Sequence, residues 1–432
     1  MRTVAAWLLG FPLVVSTVLA QPTAAPLSLG DCIRLAENAQ SNLTIARRLE
    51  EIARYALVQA RAGFMPQVHF GGGFTYNSPQ IGAPQNFSFV ALNGIREYNP
   101  LLTTALELDT SGKLRAALAR ARADQDAAAA QATLAARDLR RAVTAAYYRL
   151  LLARRLIGVA EDALAEAQNF EKRARLLSEK GEVAQADVVK AAGQSAFLEA
   201  VLSTARLEAE SANHELAFFW TSEVAEPLAL VDVFDQPVPP PEPPPGPPPS
   251  GGGPVPFLGR PEFKLFDAER RGFEADARRS RADLLPQASV VFQYGIDSLR
   301  LRIRDRGYAA FVNVGVPVFD WLRARSQVRQ FELRAEQVDA QRAMAERSFS
   351  REYQTALARV RRIHQQISMG QAQVDLSAQN LRLSRLRYEG GEGLALDLVA
   401  AQNQLAQART NYYTAVANYL NARADLEVAA GK

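Results

Sequence analysis

Residues 175–189 read RLLSEKGEVAQADVV, and residues 385–399 read RLRYEGGEGLALDLV. Arg, Leu, Glu, Gly, Glu, Asp and Val occupy the same places in both segments, 210 residues apart. A second pair follows the same order, RAGFMPQ at residues 61–67 and RADLLPQ at residues 281–287. Matching segments in one order at nearly one spacing predict two structural repeats within the chain.

Each repeated segment interrupts a long helical pattern at a glycine. Residues 112–180 contain no proline, and their apolar residues recur at alternating spacings of three and four. This 3.5-residue period predicts a left-handed coiled coil about 100 Å long at 1.5 Å per residue. A second long helix is predicted over 321–388, with return helices over 183–220 and from the second glycine turn to Val428. The first seam consists of Ala129, Ala132, Ala136, Leu139, Val143, Ala146, Leu150, Ala153, Ile157, Ala160, Leu164 and Ala167.

The segments before the long helices have a period of two, which predicts strands. In the second half, residues 288–296 and 310–318 place apolar residues on one face. In the first half, a strand from Gln67 and a return strand from Leu102 do the same, each half preceded by a helix, the first over 29–63. Residues 77–100 and 300–306 are predicted to be loops. Such alternation is typical of outer-membrane strands, and equally of a soluble hairpin with one buried face.

Strand number limits the membrane interpretation. Lipid cannot satisfy an open sheet edge, so strands in a bilayer belong to a closed barrel. Four strands per chain are too few, because the smallest single-chain barrels have eight. A barrel would therefore be shared by several chains, and a long helical hairpin with an apolar seam also needs lateral partners.

Composition excludes several other classes. The 432 residues include 50 basic and 46 acidic residues, a near balance that does not indicate nucleic-acid binding. One cysteine precludes an internal disulfide, and three scattered histidines leave little for a metal site. Since no catalytic constellation is found, we expect neither enzymatic activity nor a cofactor.

The sequence also predicts how the chain is divided into segments. Residues 1–20 resemble a secretory signal peptide, with Arg2 before an apolar stretch and small residues before Gln21. A membrane anchor is the alternative, although the stretch is short for one. Cys32 does not match the pattern of a lipid-attachment cysteine, because Asp31 precedes it where that pattern needs a small residue. The remainder divides into a first repeat (21–235), a Pro/Gly-rich linker (236–261) and a second repeat (262–432).

The chain resembles the TolC-like outer-membrane factors, the exit ducts of Gram-negative efflux and type I secretion systems. The motifs that carry the resemblance are the Arg-x5-Gly-x5-Asp turns at 175–187 and 385–397, the Pro-Gln pairs that open strands, and the Arg-Pro-Glu at 260–262. It implies a mainly α fold with a small β part. Helical hairpins would form an α-barrel in the periplasm, and each chain would give four strands to a trimeric 12-stranded barrel in the outer membrane.

The resemblance also implies partners and site residues. A homotrimer would bind outer-membrane lipid, a periplasmic adaptor and a proton-driven inner-membrane pump, and no nucleic acid. Asp187 and Asp397 would narrow a periplasmic aperture, although each could instead cap its helix. The residues expected at the tip turns and adaptor surface are Lys180, Gly181, Glu182, Gly391, Glu392 and Gly393, and those expected at strand entry are Pro66, Gln67, Pro286 and Gln287.

Three functions stay open at this point. The first is a passive efflux duct for small molecules, driven by a partner pump. The second is a type I secretion duct for polypeptides on the same scaffold. The third is an exported coiled-coil scaffold without a pore, against which the paired strands argue.

Overall fold

A computed structural model describes residues 26–78, 96–237, 240 and 256–431. The predicted signal peptide lies outside these residues. The described parts contain seven α-helices and six strands: α1 (Leu29–Asn38), α2 (Asn42–Ala62), β1 (Gln67–Gly71), β2 (Phe74–Tyr76), β3 (Arg96–Tyr98), β4 (Leu101–Leu108), α3 (Lys113–Glu179), α4 (Gln185–Ala217), α5 (Pro261–Ala282), β5 (Gln287–Ile296), β6 (Arg306–Gly315), α6 (Arg323–Glu389) and α7 (Ala395–Ala429).

The two longest helices, α3 and α6, have 67 residues each and are therefore about 100 Å long. The prediction of long helical hairpins is confirmed. The predicted seam of α3 faces neighbouring helices, and seven of its residues are fully buried: Ala132, Val143, Ala146, Leu150, Ala153, Ala160 and Ala167. Burial of this seam is what holds two such long helices side by side.

The described helices pack side by side and bury several separate apolar clusters rather than one core. Toward the glycine turns, α3 packs between α4 and α7, and α7 packs against α6. Toward the strands, α3 packs between α2 and α5, and α5 packs against α6. Consequently α6 is the outermost helix on one side along its whole length, while α4 and α2 share the other side.

Four strands form an antiparallel sheet in the order β1-β4-β5-β6. The longest strands are β5 and β6, which have ten residues each and pair along their whole length. A separate two-stranded sheet joins β2 to β3. Within the described residues, β1 and β6 each pair on one side only, so the four-stranded sheet has two open edges.

Three predicted elements differ from the structure. The helix expected over 29–63 is broken at Ala39–Ser41, where Ala39 is extended and the Thr44 hydroxyl donates to its carbonyl at 2.8 Å. The segment expected to be a loop contributes β3. The return strand expected to reach residue 318 ends at Gly315, because Pro317 has no N–H for the ladder.

Part of the predicted linker is folded. Residues 256–259 form a short 3₁₀ turn, and Phe257 is buried beside Phe263 and Tyr353. Pro261 then occupies the first turn of α5, where its missing N–H costs nothing. Of the remaining linker residues, 238–239 and 241–255 lie outside the described part of the chain.

Three ion pairs secure the start of α5. The Glu262 carboxylate accepts hydrogen bonds from Arg260 at 2.7 Å and from Arg137 of α3 at 2.9 Å. Arg260 is buried, and it also pairs with Glu352 of α6 at 2.8 Å and lies over the Phe349 ring. This network ties α5 to both long helices.

Among the described helices, none is long and apolar enough to cross a membrane.

Candidate functional site

The two hairpin tips have the same backbone geometry. Gly181 and Gly391 adopt left-handed φ angles of 76° and 77°. After each glycine, the next N–H donates back to the long helix, from Glu182 to the Leu177 carbonyl and from Glu392 to the Arg387 carbonyl, both at 2.9 Å. Such a turn requires φ above zero, which glycine adopts without strain.

The tip residues otherwise differ in exposure. Lys180, Glu182 and Glu392 are exposed, so the end of each hairpin presents charge to its surroundings. Gly393 is half-buried, and a Cβ placed there would lie 2.9 Å from the Tyr388 nitrogen. The second tip therefore needs glycine at this position as well as at Gly391.

The two predicted aperture residues occupy equivalent places but different environments. Asp187 and Asp397 lie in the first turns of α4 and α7, where their backbone N–H groups donate to Ala184 and Leu394. The Asp187 carboxylate is partly buried and lies 3.6 Å from the Lys190 ammonium. Asp397 is exposed and forms no ion pair within the described residues. Both carboxylates are well placed to stabilise a helix N-terminus, and that of Asp397 has no ion-pair partner among the described residues.

A single apolar cluster joins the two tips. It contains Phe170 of α3, Val188 of α4, Tyr388 of α6 and Leu398 of α7. The Phe170 and Tyr388 rings meet edge to face at 5.1 Å. Because Val188 and Leu398 follow the two aspartates directly, the starts of both return helices are held in one packed unit.

Tyr388 connects this cluster to Asp187. Burial raises the pKa of Tyr388, and the negative charge of Asp187 raises it further. The buried Tyr388 hydroxyl has no hydrogen-bond partner among the described residues. Sequence reasoning did not identify this residue, although the first repeat has Ser178 at the matching place.

Polar contacts across the hairpins were also missed from sequence. Arg385 of α6 pairs with Glu166 of α3, and Arg173 of α3 pairs with Glu389 of α6 at 3.3 Å. Each of the two helices thus contributes the arginine to one pair and the glutamate to the other. Together the two pairs fix the hairpins relative to each other near the tips. Periodicity cannot reveal them, because charged residues on a helix surface look alike in sequence.

The predicted strand-entry residues stabilise the points where a helix ends and a strand begins. Gln67 donates to the carbonyls of Ala62 and Met65 at 2.8 and 3.1 Å. Gln287 donates to the carbonyls of Ala282 and Leu285 at 2.8 and 3.0 Å. Each glutamine thus satisfies the carboxyl end of a helix, while Pro66 and Pro286 prevent that helix from continuing.

The register of the sheet sorts its residues into two faces. Directly paired residues share a face, and the rows Val68–Thr104–Phe292–Ala310 and Phe70–Leu102–Tyr294–Tyr308 lie on the same one. The other face carries mostly small and polar residues, as in the row His69–Thr103–Gln293–Ala309, although Val291 and Phe311 also lie on it. The predicted alternation is therefore present in every strand of this sheet.

The apolar face is open to its surroundings. Its exposed side chains include Phe70 at 74%, Tyr308 at 78% and Val312 at 72%. Tyr294 and Tyr308 lie on this face at the end nearest the β5–β6 loop, and the exposed Phe319 and Trp321 follow β6 in the chain. An exposed apolar strand face with aromatic residues near its end is typical of strands that cross a bilayer.

No group of three or more His, Cys, Asp or Glu side chains in the described part of the chain could hold a metal ion.

The outer membrane efflux protein family model matches residues 33–221 and 258–432. The chain belongs to the outer membrane efflux protein family. This family comprises outer-membrane channels rather than enzymes, so the chain is an efflux channel of the outer membrane. Among curated proteins, none matches the chain significantly in sequence.

Solved structures share the fold of this outer membrane efflux protein. The CmeC outer membrane channel of Campylobacter jejuni has a TM-score of 0.81 at 17% identity, with 93% of this chain and 85% of CmeC covered. The MtrE outer membrane channel of Neisseria gonorrhoeae has a TM-score of 0.79 at 20% identity, covering 93% and 88%. VceC, an outer membrane protein of Vibrio cholerae, has a TM-score of 0.79 at 17% identity, covering 93% and 96%.

Proposed function

We propose that three copies of this chain close into one duct that conducts small molecules passively through the outer membrane. The observation that carries this proposal is an uncovered apolar stripe along the outermost helix α6. Met369, Leu376 and Leu383 recur every seven residues and are 68%, 66% and 52% exposed. A heptad stripe of this kind is a seam that lacks its partner helix.

The opposite side of the helical row is apolar too. On α4, Val189, Phe197 and Leu207 are exposed, and on α2, Ile45 and Ile52 are exposed. Side-by-side association of copies would bring α6 of one chain against α4 and α2 of the next. Three rows of four helices and three sheets of four strands would then close together, which removes every open sheet edge.

A pair of matched variants tests this association. We expect Leu376→Glu with Leu383→Glu to prevent oligomer formation, because both carboxylates would be buried against a neighbouring chain. The control is Gln371→Glu with Ala378→Glu, which has the same spacing at exposed positions of α6 that are turned well away from the stripe. Size-exclusion chromatography with light scattering measures the result. An intact trimer in the first variant would contradict the proposal.

The hairpin tips would face away from the membrane and into the periplasm. They lie at the far end of α3 and α6 from the sheet, about 100 Å away. We propose that the exposed tip residues Lys180, Glu182 and Glu392, with the half-buried Gly393, dock a periplasmic adaptor. An inner-membrane pump, proton-driven in our proposal, would supply the energy, because a passive duct supplies none.

The tips would also form the resting aperture. Three-fold symmetry would place three copies each of Asp187 and Asp397 around the axis, where clustered carboxylates repel one another and attract cations. Lys190 partly neutralises Asp187, so we assign the larger effect to the free carboxylate of Asp397. Arg385, Glu166, Arg173 and Glu389 would hold the hairpins in this closed position.

The chain organisation completes the proposal. In both halves a helical segment is followed by antiparallel strands, a 67-residue helix and a return helix, and the first half has one additional short helix and two additional short strands. We therefore propose that residues 21–235 and 262–432 are the two repeats, joined by the linker at 236–261. Residues 1–20 would direct export and be removed.

A further inference from the structure

The loop between β5 and β6 combines basic and aliphatic residues in strict alternation. Residues 299–304 read LRLRIR. The three aliphatic side chains are open to solvent, with Leu299 49% exposed, Leu301 62% and Ile303 76%. A surface loop gains nothing by exposing three large aliphatic side chains in water, so this composition indicates contact with a partly apolar surface.

The arginines of this loop have free guanidinium groups. Arg300, Arg302 and Arg304 are exposed, and none forms an ion pair within the described residues. Residues 79–95, outside the described part, contain no Asp or Glu by sequence. Residues 297–306 hold four arginines and two aspartates, a net charge of +2. The loop is therefore an uncompensated basic segment.

The backbone fixes the loop at the end of the apolar face. Tyr98 and Ser298 exchange backbone hydrogen bonds at 2.9 and 3.1 Å, which anchors the loop beside β3. The last paired row of the sheet joins Ile296 to Arg306, two residues beyond the Tyr294–Tyr308 row. Two residues span about 7 Å along a strand. If the tyrosines mark the hydrocarbon boundary, the arginines lie at headgroup depth.

We propose that this loop binds the phosphate-bearing headgroup of a membrane lipid in the leaflet at this end of the channel. Arg300, Arg302 and Arg304 would engage phosphate, for which the planar guanidinium is well suited, while Leu299, Leu301 and Ile303 enter the acyl region. The basic charge and the exposed aliphatic residues together favour a lipid over free phosphate. The choice of the outer leaflet rests on the proposed function, because the hairpin tips would occupy the periplasmic side.

The test measures lipid binding to the full-length protein in detergent. Delipidated protein is titrated with bis-phosphorylated lipid A and with lipid A whose phosphates have been removed, and bound lipid is counted by native mass spectrometry. The variant is Arg300→Gln with Arg302→Gln and Arg304→Gln. The control is Arg347→Gln with Arg361→Gln and Arg382→Gln, which removes three exposed charges from α6.

We expect wild type and control to bind bis-phosphorylated lipid A equally, and the loop variant to bind at least tenfold more weakly. Equal binding by the loop variant, or equal affinity for the dephosphorylated lipid, would overturn the proposal. Displacement of the lipid by an excess of inorganic phosphate would overturn the assignment to a lipid. Oligomer mass is recorded in parallel, so a failure of the trimer is seen separately from a failure of lipid binding.

Discussion

Gly181 and Gly391 lie 210 residues apart and share a left-handed backbone, with φ angles of 76° and 77°. Each lies in the turn between a 67-residue helix and its return helix. The sequence repeat thus corresponds to one turn built twice. The helices on either side of both turns pack into one apolar cluster, which holds the two hairpin tips together.

The first prediction concerns these turns. Gly181→Ala and Gly391→Ala should each destabilise a tip by about 1–2 kcal/mol, because a Cβ is strained in the left-handed conformation. Hydrogen exchange of the adjoining residues measures the loss as faster exchange. Gly193→Ala within α4 is the control, since its added Cβ meets nothing within 4 Å. It should leave exchange unchanged or slow it, as alanine favours a helix. Equal effects at all three positions would rule out a requirement for positive φ.

The second prediction uses the two faces of the sheet. Phe292→Asp should prevent assembly in the outer membrane, because it puts a charge on the apolar face, which destabilises a strand where that face meets lipid. The neighbouring Gln293→Asp lies on the polar face and should assemble normally. Immunoblots of fractionated membranes compare the two. Normal membrane levels of Phe292→Asp would mean that the assigned faces are wrong.

The third prediction concerns the aperture. Asp397→Ala should raise the resting conductance in planar bilayers and weaken blockade by divalent cations, because it removes three carboxylates near the axis in the trimer. Asp375→Ala, an exposed change on α6 away from the tip, is the control. Unchanged conductance together with unchanged blockade would leave Asp397 only the role of stabilising the start of α7.

The fourth prediction concerns the junction of the repeats. Burial tends to raise the pKa of Glu262, but hydrogen bonds from Arg260 and Arg137 prevail and lower it below the usual value of 4.5. A lowered pKa stabilises the fold above pH 4.5, and this contribution is lost as the pH falls through the folded-state pKa. Glu262→Gln should therefore cost about 3 kcal/mol at pH 7 and reduce the acid sensitivity of unfolding.

Glu352→Gln is the matched change for this test. Glu352 contacts the same Arg260 guanidinium, but its side chain is 45% exposed against 15% for Glu262. We expect it to cost less than about 1 kcal/mol. Thermal unfolding between pH 3 and 7, a range that brackets the usual carboxyl pKa, compares both variants. A larger loss for Glu352→Gln would show that burial does not determine the strength of this network.

The long helices and the strand faces were predictable because their signals are periodic. A seam that includes Val143 and Leu150 repeats over many turns, and alternation around Phe292 persists through a ten-residue strand. The turn glycines were predictable because the same segment occurs twice. Each pattern is local in sequence and repeated, so it can be recognised without knowledge of tertiary contacts.

The remaining features depend on contacts between distant residues. The exception is the break at Ala39, which is local: the Thr44 hydroxyl donates to the Ala39 carbonyl within an otherwise helical pattern. The short strand β3 forms only because Phe74–Tyr76 pairs with it. At the tip, the approach of Tyr388 to Asp187 and the pairing of Arg385 with Glu166 join residues about 200 positions apart. Periodicity carries no information about such pairs.

The most direct test of the account is the mass of the protein extracted from outer membranes in mild detergent. The account predicts a complex of three chains in that fraction, because one chain has four strands in its main sheet, two open edges and an uncovered α6 stripe. A monomer recovered from the soluble periplasmic fraction would contradict the shared channel.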